Sequence, residues 1–169
     1  KRTGGKQTEF NAAAYGTAEW QAMEKLRIMP GLRFNYFSNE TIRLIPALSV
    51  RYDITEKFFV RSNYSMGFRQ PSLKEKFMDF QDVNHHIRGN ENLLPETSHN
   101  YTLSVNAEMQ NGKFLITAAP QFYFTSISDM IMLAQVNENS NLNSYINIGK
   151  YQTQGAVLSL SASTGKLNE

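Results

Sequence analysis

The sequence has no cysteine. Disulfides, thiolate metal sites and cysteine nucleophiles are therefore excluded. No run approaches the ~18 consecutive apolar residues of a membrane helix. Charge of one sign is also missing: 17 Lys+Arg against 15 Asp+Glu leave a net charge of +2. With no basic block, a nucleic-acid partner is not expected. Enzyme signatures are absent too. Gly4-Gly5 opens no phosphate-cradling loop, there is no His-x-x-x-His or H-E-x-x-H, and no nucleophile elbow occurs. Asp79 and Asp82 lack the further ligands a calcium loop requires. The expectation is a protein that is not an enzyme and requires no cofactor.

What remains is apolar enough to fold. With 11 Phe, 8 Tyr and only 19% charged residues, disorder is not expected. The 169 residues suit one domain or a piece of a larger one. The start at Lys1 and the stop just after the turn-like Thr164-Gly165-Lys166 read as cut ends, so a fragment is expected.

The dominant period is two. From Phe58 one face reads Phe58, Val60, Ser62, Tyr64, Met66, Phe68, and the other Phe59, Arg61, Asn63, Ser65, Gly67, Arg69. Tyr101, Leu103, Val105, Ala107 and Met109 alternate with Thr102, Ser104, Asn106 and Glu108 in the same way. Similar alternation starts near Phe10, Leu26, Leu44, Phe114 and Ala156. This is strand periodicity. It predicts an all-β, antiparallel up-and-down meander of about seven long strands, each of roughly 10–14 residues, beyond the usual ~5–6. Short turns at Met23–Lys25, Ile54–Lys57 and Gln110–Lys113 alternate with longer links at Ser38–Arg43, about 70–97, and Ala134–Ser144. The Asn111-Gly112 pair is a strong hairpin signal.

The apolar faces carry no charge, and aromatics gather near strand ends: Trp20, Tyr52, Phe58 and Phe114 at one level, Phe10, Tyr36, Phe68, Tyr101 and Phe124 at the other. Two aromatic belts and a polar opposite face suit a transmembrane β-barrel. A soluble all-β binding or adhesion module would alternate similarly, and a passive porin-like barrel is a further alternative. Pro30, Pro46 and Pro120 fall on the apolar face inside strands, where each removes a ladder donor.

The connector narrows the choice. Gly67-Phe68-Arg69-Gln70-Pro71-Ser72-Leu73 resembles the G-F-R-x-P-S-L box of TonB-dependent outer-membrane receptors. Gly89-Asn90-Glu91-Asn92-Leu93-Leu94-Pro95-Glu96-Thr97-Ser98 resembles that family's G-N-P-x-L-x-P-E-x-S box, with Glu91 where Pro is usual. Asn147-Ile148-Gly149-Lys150 and Gly155-Ala156-Val157-Leu158 are similar to it as well. The resemblance implies that residues 1–169 are part of the barrel region of such a receptor in the bacterial outer membrane, in contact with its lipid. The amino-terminal plug, the segment that engages the TonB complex and the final strands would lie outside them. It implies import of a scarce small-molecule nutrient, most plausibly haem or another iron chelate; a siderophore or cobalamin is the alternative cargo.

Some haem receptors of this family place an axial histidine between the two boxes. Here the interval holds His85 and His86, which the resemblance makes candidate haem-iron ligands. Arg88 and Lys74 could pair with propionates, and Phe77 could pack on a porphyrin. Gly67, Phe68, Arg69, Pro71, Gly89, Asn90, Leu93, Pro95 and Glu96 are read as structural. Gly89 is expected to supply an unusual backbone angle, Ser72 with Glu75 to cap a helical turn from Leu73, and Arg69 to meet a carboxylate such as Glu96.

Overall fold

A computed structural model describes residues 8–38, 42–83, 86–136 and 141–164. The chain is almost wholly strand. In order it forms β1 (Asn11–Thr17), β2 (Trp20–Met23), β3 (Leu26–Phe37), β4 (Arg43–Thr55), β5 (Phe58–Arg69), the short helix α1 (Leu73–Phe77), β6 (Asp79–Gln81), β7 (His86–Arg88), β8 (Glu96–Asn111), β9 (Phe114–Gln135) and β10 (Leu142–Thr164). All strands join one sheet in the order β1-β3-β4-β5-β8-β9-β10-β7-β6, with β2 also on β3. The long strands pair antiparallel with their sequence neighbours, as a meander requires. β1 and β2 together make the first expected strand, interrupted at Ala18 and Glu19. Gly112 adopts φ 57 in the predicted Asn-Gly turn.

Strand register keeps the two faces apart across the whole sheet. Pro30 lies opposite Leu48, Leu48 opposite Tyr64, Tyr64 opposite Tyr101, and Tyr101 opposite Phe124. On the other face Arg27 meets Arg51, Arg51 meets Arg61, Arg61 meets Ser104, and Ser104 meets Gln121. A slip of one residue in any pair would have mixed these rows. The apolar face is open: Phe122 is 56% exposed and Leu158 63%. A surface of this size and character needs lipid against it. On β9 it runs ten residue steps from Phe114 to Phe124. That is roughly 33 Å of strand, or about 25 Å of height at the usual tilt of a membrane barrel, matching its apolar band. Tyr64, Tyr101 and Phe124 close the band with rings 5.0 and 6.2 Å apart. Among the described residues no helix is long and apolar enough to cross a membrane.

The structure corrects the expected strand lengths. β9 and β10 have 22 and 23 residues because their pairing continues above the aromatic row. Each proline now has a place. Ala18 donates to the Pro30 carbonyl at the break between β1 and β2. Pairing of β4 with β5 stops at Ala47, one residue short of Pro46. The β8–β9 ladder skips Val105 and Asn106, opposite Pro120 and Ala119. Every missing donor falls where the ladder is already open on one side.

That opening also relocates Phe68. Its parity assigns it to the outer belt, yet its ring lies 5.7 Å from Phe37 and 5.2 Å below the Arg43 guanidinium. Both partners belong to the inward parity, so Phe68 fills the gap above Pro46 and is not a belt residue.

Candidate functional site at the rim

Among the described residues the fully buried apolar side chains are few: Leu93 is 4% exposed, Ile131 8%, and Pro71 under 2%. Pro71 and Leu93 lie in the connector and Ile131 on β9, where the two sequence boxes meet above the aromatic row. The site is built around that small core. β5 ends at Arg69 and β8 begins at Glu96, directly opposite, so residues 70–95 form the connector, and Glu96 and Thr97 belong to the strand.

Arg69 binds both flanking carboxylates. Its Nε and Nη2 donate to the two oxygens of Glu96 at 2.8 and 2.7 Å, a bidentate fork. Its Nη1 donates to Glu75 Oε1 and Oε2 at 3.0 and 3.1 Å. Glu96 Oε1 also accepts from the Ile131 backbone N–H at 2.7 Å, tying β9 to the knot. Glu75 completes a capping box on α1: its carboxylate accepts from Ser72 N at 2.7 Å, while Ser72 Oγ accepts from Glu75 N at 3.2 Å. The electrostatics follow. Hydrogen bonds from Arg69, then the Ile131 N–H, hold the Glu96 carboxyl below its ordinary range despite burial. Burial pushes Glu75 upward, but the Ser72 and Arg69 hydrogen bonds outweigh it and leave the group lowered. Glu96, and to a smaller extent Glu75, raise the Arg69 guanidinium.

The second box docks on α1 and on β10. Gly89 N donates to Met78 O at 2.6 Å and Asn90 N to Glu75 O at 2.9 Å. Asn90 Nδ2 reaches Tyr145 O at 3.0 Å. A Cβ on Gly89 would stand 2.5 Å from Lys76 O and 2.8 Å from Met78 N. The expected unusual backbone angle is absent, since φ is not positive there; glycine is needed for room.

Sequence reasoning missed the role of Asn147. Its Oδ1 accepts from Leu94 N at 2.8 Å, and its Nδ2 donates to Leu94 O at 2.9 Å and Asp129 O at 2.6 Å. Asp129 itself takes a left-handed φ of 56. The Asn147-Ile148-Gly149-Lys150 similarity was the available signal, though it did not say which groups the amide would join. Replacing Asn147 by Ala should cost about 2 kcal/mol, because three backbone groups lose their partner. Faster hydrogen exchange at Leu94 would report it; unchanged exchange there would contradict it.

Of the candidate ligand residues, Lys74 lies exposed on α1 and Phe77 is half-buried on the same helix. His86 and Arg88 lie on β7, which pairs with β6 and, in parallel, with the top of β10. His86 Nε2 stands 3.7 Å from Asp79 Oδ1, and Arg88 is opposite Asp79 in the β6–β7 register. His85 lies outside the described residues. Among those described, no group of three or more His, Asp or Glu could hold a metal ion. Gly89 and Asn90 therefore connect the helix carrying Lys74 and Phe77 to the strand carrying His86 and Arg88 through backbone bonds.

Residues 2–168 match the family described as TonB dependent receptor-like, beta-barrel. The chain belongs to the TonB-dependent receptor family. Its sheet is a curved segment of an outer-membrane barrel wall, and the soluble-module reading falls away. Among curated relatives, a Heme/hemopexin utilization protein C of Haemophilus influenzae (strain 86-028NP) is 27% identical, covering 85% of this chain and 24% of that protein. The Vitamin B12 transporter BtuB of Photobacterium profundum is 28% identical over 94% of this chain and 24% of its own length. Among solved structures, the Serratia marcescens hemophore receptor HasR, in complex with its hemophore HasA and heme, aligns with TM-score 0.80 at 15% identity, covering 92% of this chain and 32% of that one. The siderophore receptor PirA of Pseudomonas aeruginosa aligns with TM-score 0.72 at 18% identity, over 92% and 35%. Residues 1–169 thus span about a quarter of the curated relatives they match.

Proposed function

We propose that these residues form wall and rim of an energy-coupled outer-membrane importer of iron chelates, with haem as first cargo. The observation that carries this reading is the rim knot. Arg69, Glu75, Glu96 and Asn147 hold the ends of the connector, whose described part carries His86, at the rim on bonds from three strands. A loop held this way presents the His86 imidazole to extracellular cargo, and imidazole is a suitable haem-iron ligand. Haem utilization proteins among the relatives support the choice. Siderophore or cobalamin import is the second reading, favoured by the BtuB relative and the fold shared with PirA. In either case the TonB complex would act through parts of the receptor outside residues 1–169, and the protein's chemistry is binding and transport.

The test is a haemin titration of the full receptor in detergent, read at the Soret band. Wild type should give a saturable shift that His85→Ala/His86→Ala abolishes. A shift surviving both substitutions would keep haem but remove the connector as its ligand. No shift in wild type would sink the haem reading and leave the second one standing.

A further inference from the structure

β4 and β5 separate while both remain in the wall. Their ladder ends with Ala47 opposite Ser65. Yet β4 stays paired with β3 as far as Arg43, opposite Asn35, and β5 stays paired with β8 as far as Arg69, opposite Glu96. Residues 43–46 and 66–69 therefore face each other without a ladder pair. This seam lies at lipid level: Leu44 pairs with Phe34, two residues below Tyr36 of the upper aromatic belt. Unpaired backbone facing lipid is costly. Beside the seam a cavity of about 320 Å³ is lined by Thr17, Gly31, Arg33, Ile45, Ala47 and Met66. Met66 has outward parity and the other five inward, so the cavity reaches into the plane of the wall.

Phe68 occupies the space between the edges. Its ring rests on Phe37 and beneath the Arg43 guanidinium, 5.7 and 5.2 Å away, and both contacts stabilise the inward seat. The upper belt is left without a ring on β5, and Leu44 stands 53% exposed. Extending the existing register sets Pro46 beside Met66, Ile45 beside Gly67, Leu44 beside Phe68 and Arg43 beside Arg69. Phe68 would then stand in the belt, against Leu44. Backbone hydrogen bonding favours that arrangement. The donor missing at Pro46, the lost inward seat and two adjacent guanidinia oppose it. Small opposing terms of this kind are the condition for two populated states.

We propose that the β4–β5 seam is a two-state latch: Phe68 turned inward holds it open, and Phe68 turned outward closes it by zipping residues 43–46 onto 66–69. Arg69 follows Phe68 in the chain and anchors the connector through Glu75 and Glu96. Closing brings the Arg43 guanidinium beside it, in competition for the same carboxylates. The latch thus links the wall at lipid level to the grip on the extracellular connector. This goes beyond the importer reading and does not depend on which cargo is carried.

The test uses the full receptor in liposomes whose lipid is brominated high on its acyl chains. Phe68→Trp is the reporter, with the parent signal subtracted. Bromine quenches an indole in the belt and spares one on the inward seat, so Phe68→Trp should be weakly quenched. Adding Phe37→Ala or Arg43→Gln removes part of the seat. Either should shift the ratio of closed to open seam roughly tenfold, read as a gain in quenching. Nitroxides at Leu44 and Met66, diagonal neighbours in the closed register, follow the seam with Phe68 in place. They should show a longer separation and a minor shorter one, and the shorter should gain population with Phe37→Ala. Amides from Ser72 to Phe77 should exchange faster in the same variant. Heat-modifiable gel mobility confirms that each barrel is folded. Strong quenching of Phe68→Trp alone, equal quenching with and without the second substitution, or a gain in quenching at one unchanged label separation would each overturn the latch. A shorter separation with unchanged amide exchange would overturn its link to the connector.

Discussion

Arg69→Ala is expected to release the connector from the rim while the strands stay paired. The substitution leaves the Glu75 and Glu96 carboxylates, with side chains only 15% and 16% exposed, close together without their shared cation. Leaving buried charge unpaired costs several kcal/mol in a dry interior. Here Arg69 is 44% exposed and water reaches the pair, so about 2 kcal/mol is the expected loss. Amides from Ser72 to Phe77 should then exchange roughly 30-fold faster. The pH dependence has a definite sign. Both carboxylates are lowered in the folded state. Their contribution is therefore fully present above the unfolded carboxylate value of about 4.3 and is lost as pH falls through the lowered folded values. Wild-type protection, corrected for intrinsic exchange, should stay flat from neutral pH down to about 5 and drop below about 4. In Arg69→Ala the defect should shrink on acidification, because protonation relieves the repulsion. Equal protection in both proteins at neutral pH would show that the knot does not anchor the connector.

Gly89→Ala is expected to have a comparable or larger effect by a different route. The added methyl would meet three backbone atoms of Lys76 and Met78, none of which can rotate away. α1 and β7 must separate, which lengthens the Gly89–Met78 and Asn90–Glu75 backbone bonds. Overpacking against backbone costs about 3 kcal/mol. Limited proteolysis should cut the variant in the connector at protease levels that leave wild type intact. Wild-type resistance in Gly89→Ala would mean that the packing of α1 against β7 is not tight in solution.

The strand order and the two faces were legible in the sequence because period two is a local property. Each strand reports its own parity, and a meander pairs neighbours. The exit of Phe68 from the belt was not legible. It depends on β4 and β5 parting at Pro46, and a proline states that a donor is missing, not which neighbour leaves. The Arg69–Glu96 pair was within reach, because the boxes mark two strand ends and opposite charges at facing ends attract. Asn147 was not. Its three bonds join a β10 side chain to Leu94 and Asp129, and no local pattern records contacts 53 residues apart. The short strands β6 and β7 were missed for a similar reason. Three-residue strands carry almost no periodicity, and β7 is further fixed by the top of β10, far along the chain.

The account rests on a sheet whose even and odd residues face lipid and lumen. With no cysteine in these 169 residues, single spin labels can be placed on them without background from this segment. Labels at Leu103, Phe122 and Leu158 of the full receptor in liposomes should collide freely with oxygen and poorly with a water-soluble nickel chelate. Labels at Ser104, Gln121 and Val157, their immediate neighbours, should lose the oxygen preference. Alternation with that phase through β8, β9 and β10 is the predicted result. Accessibility without alternation, or with the opposite phase, would contradict the placement of these strands in the membrane wall and every inward-facing role assigned from it.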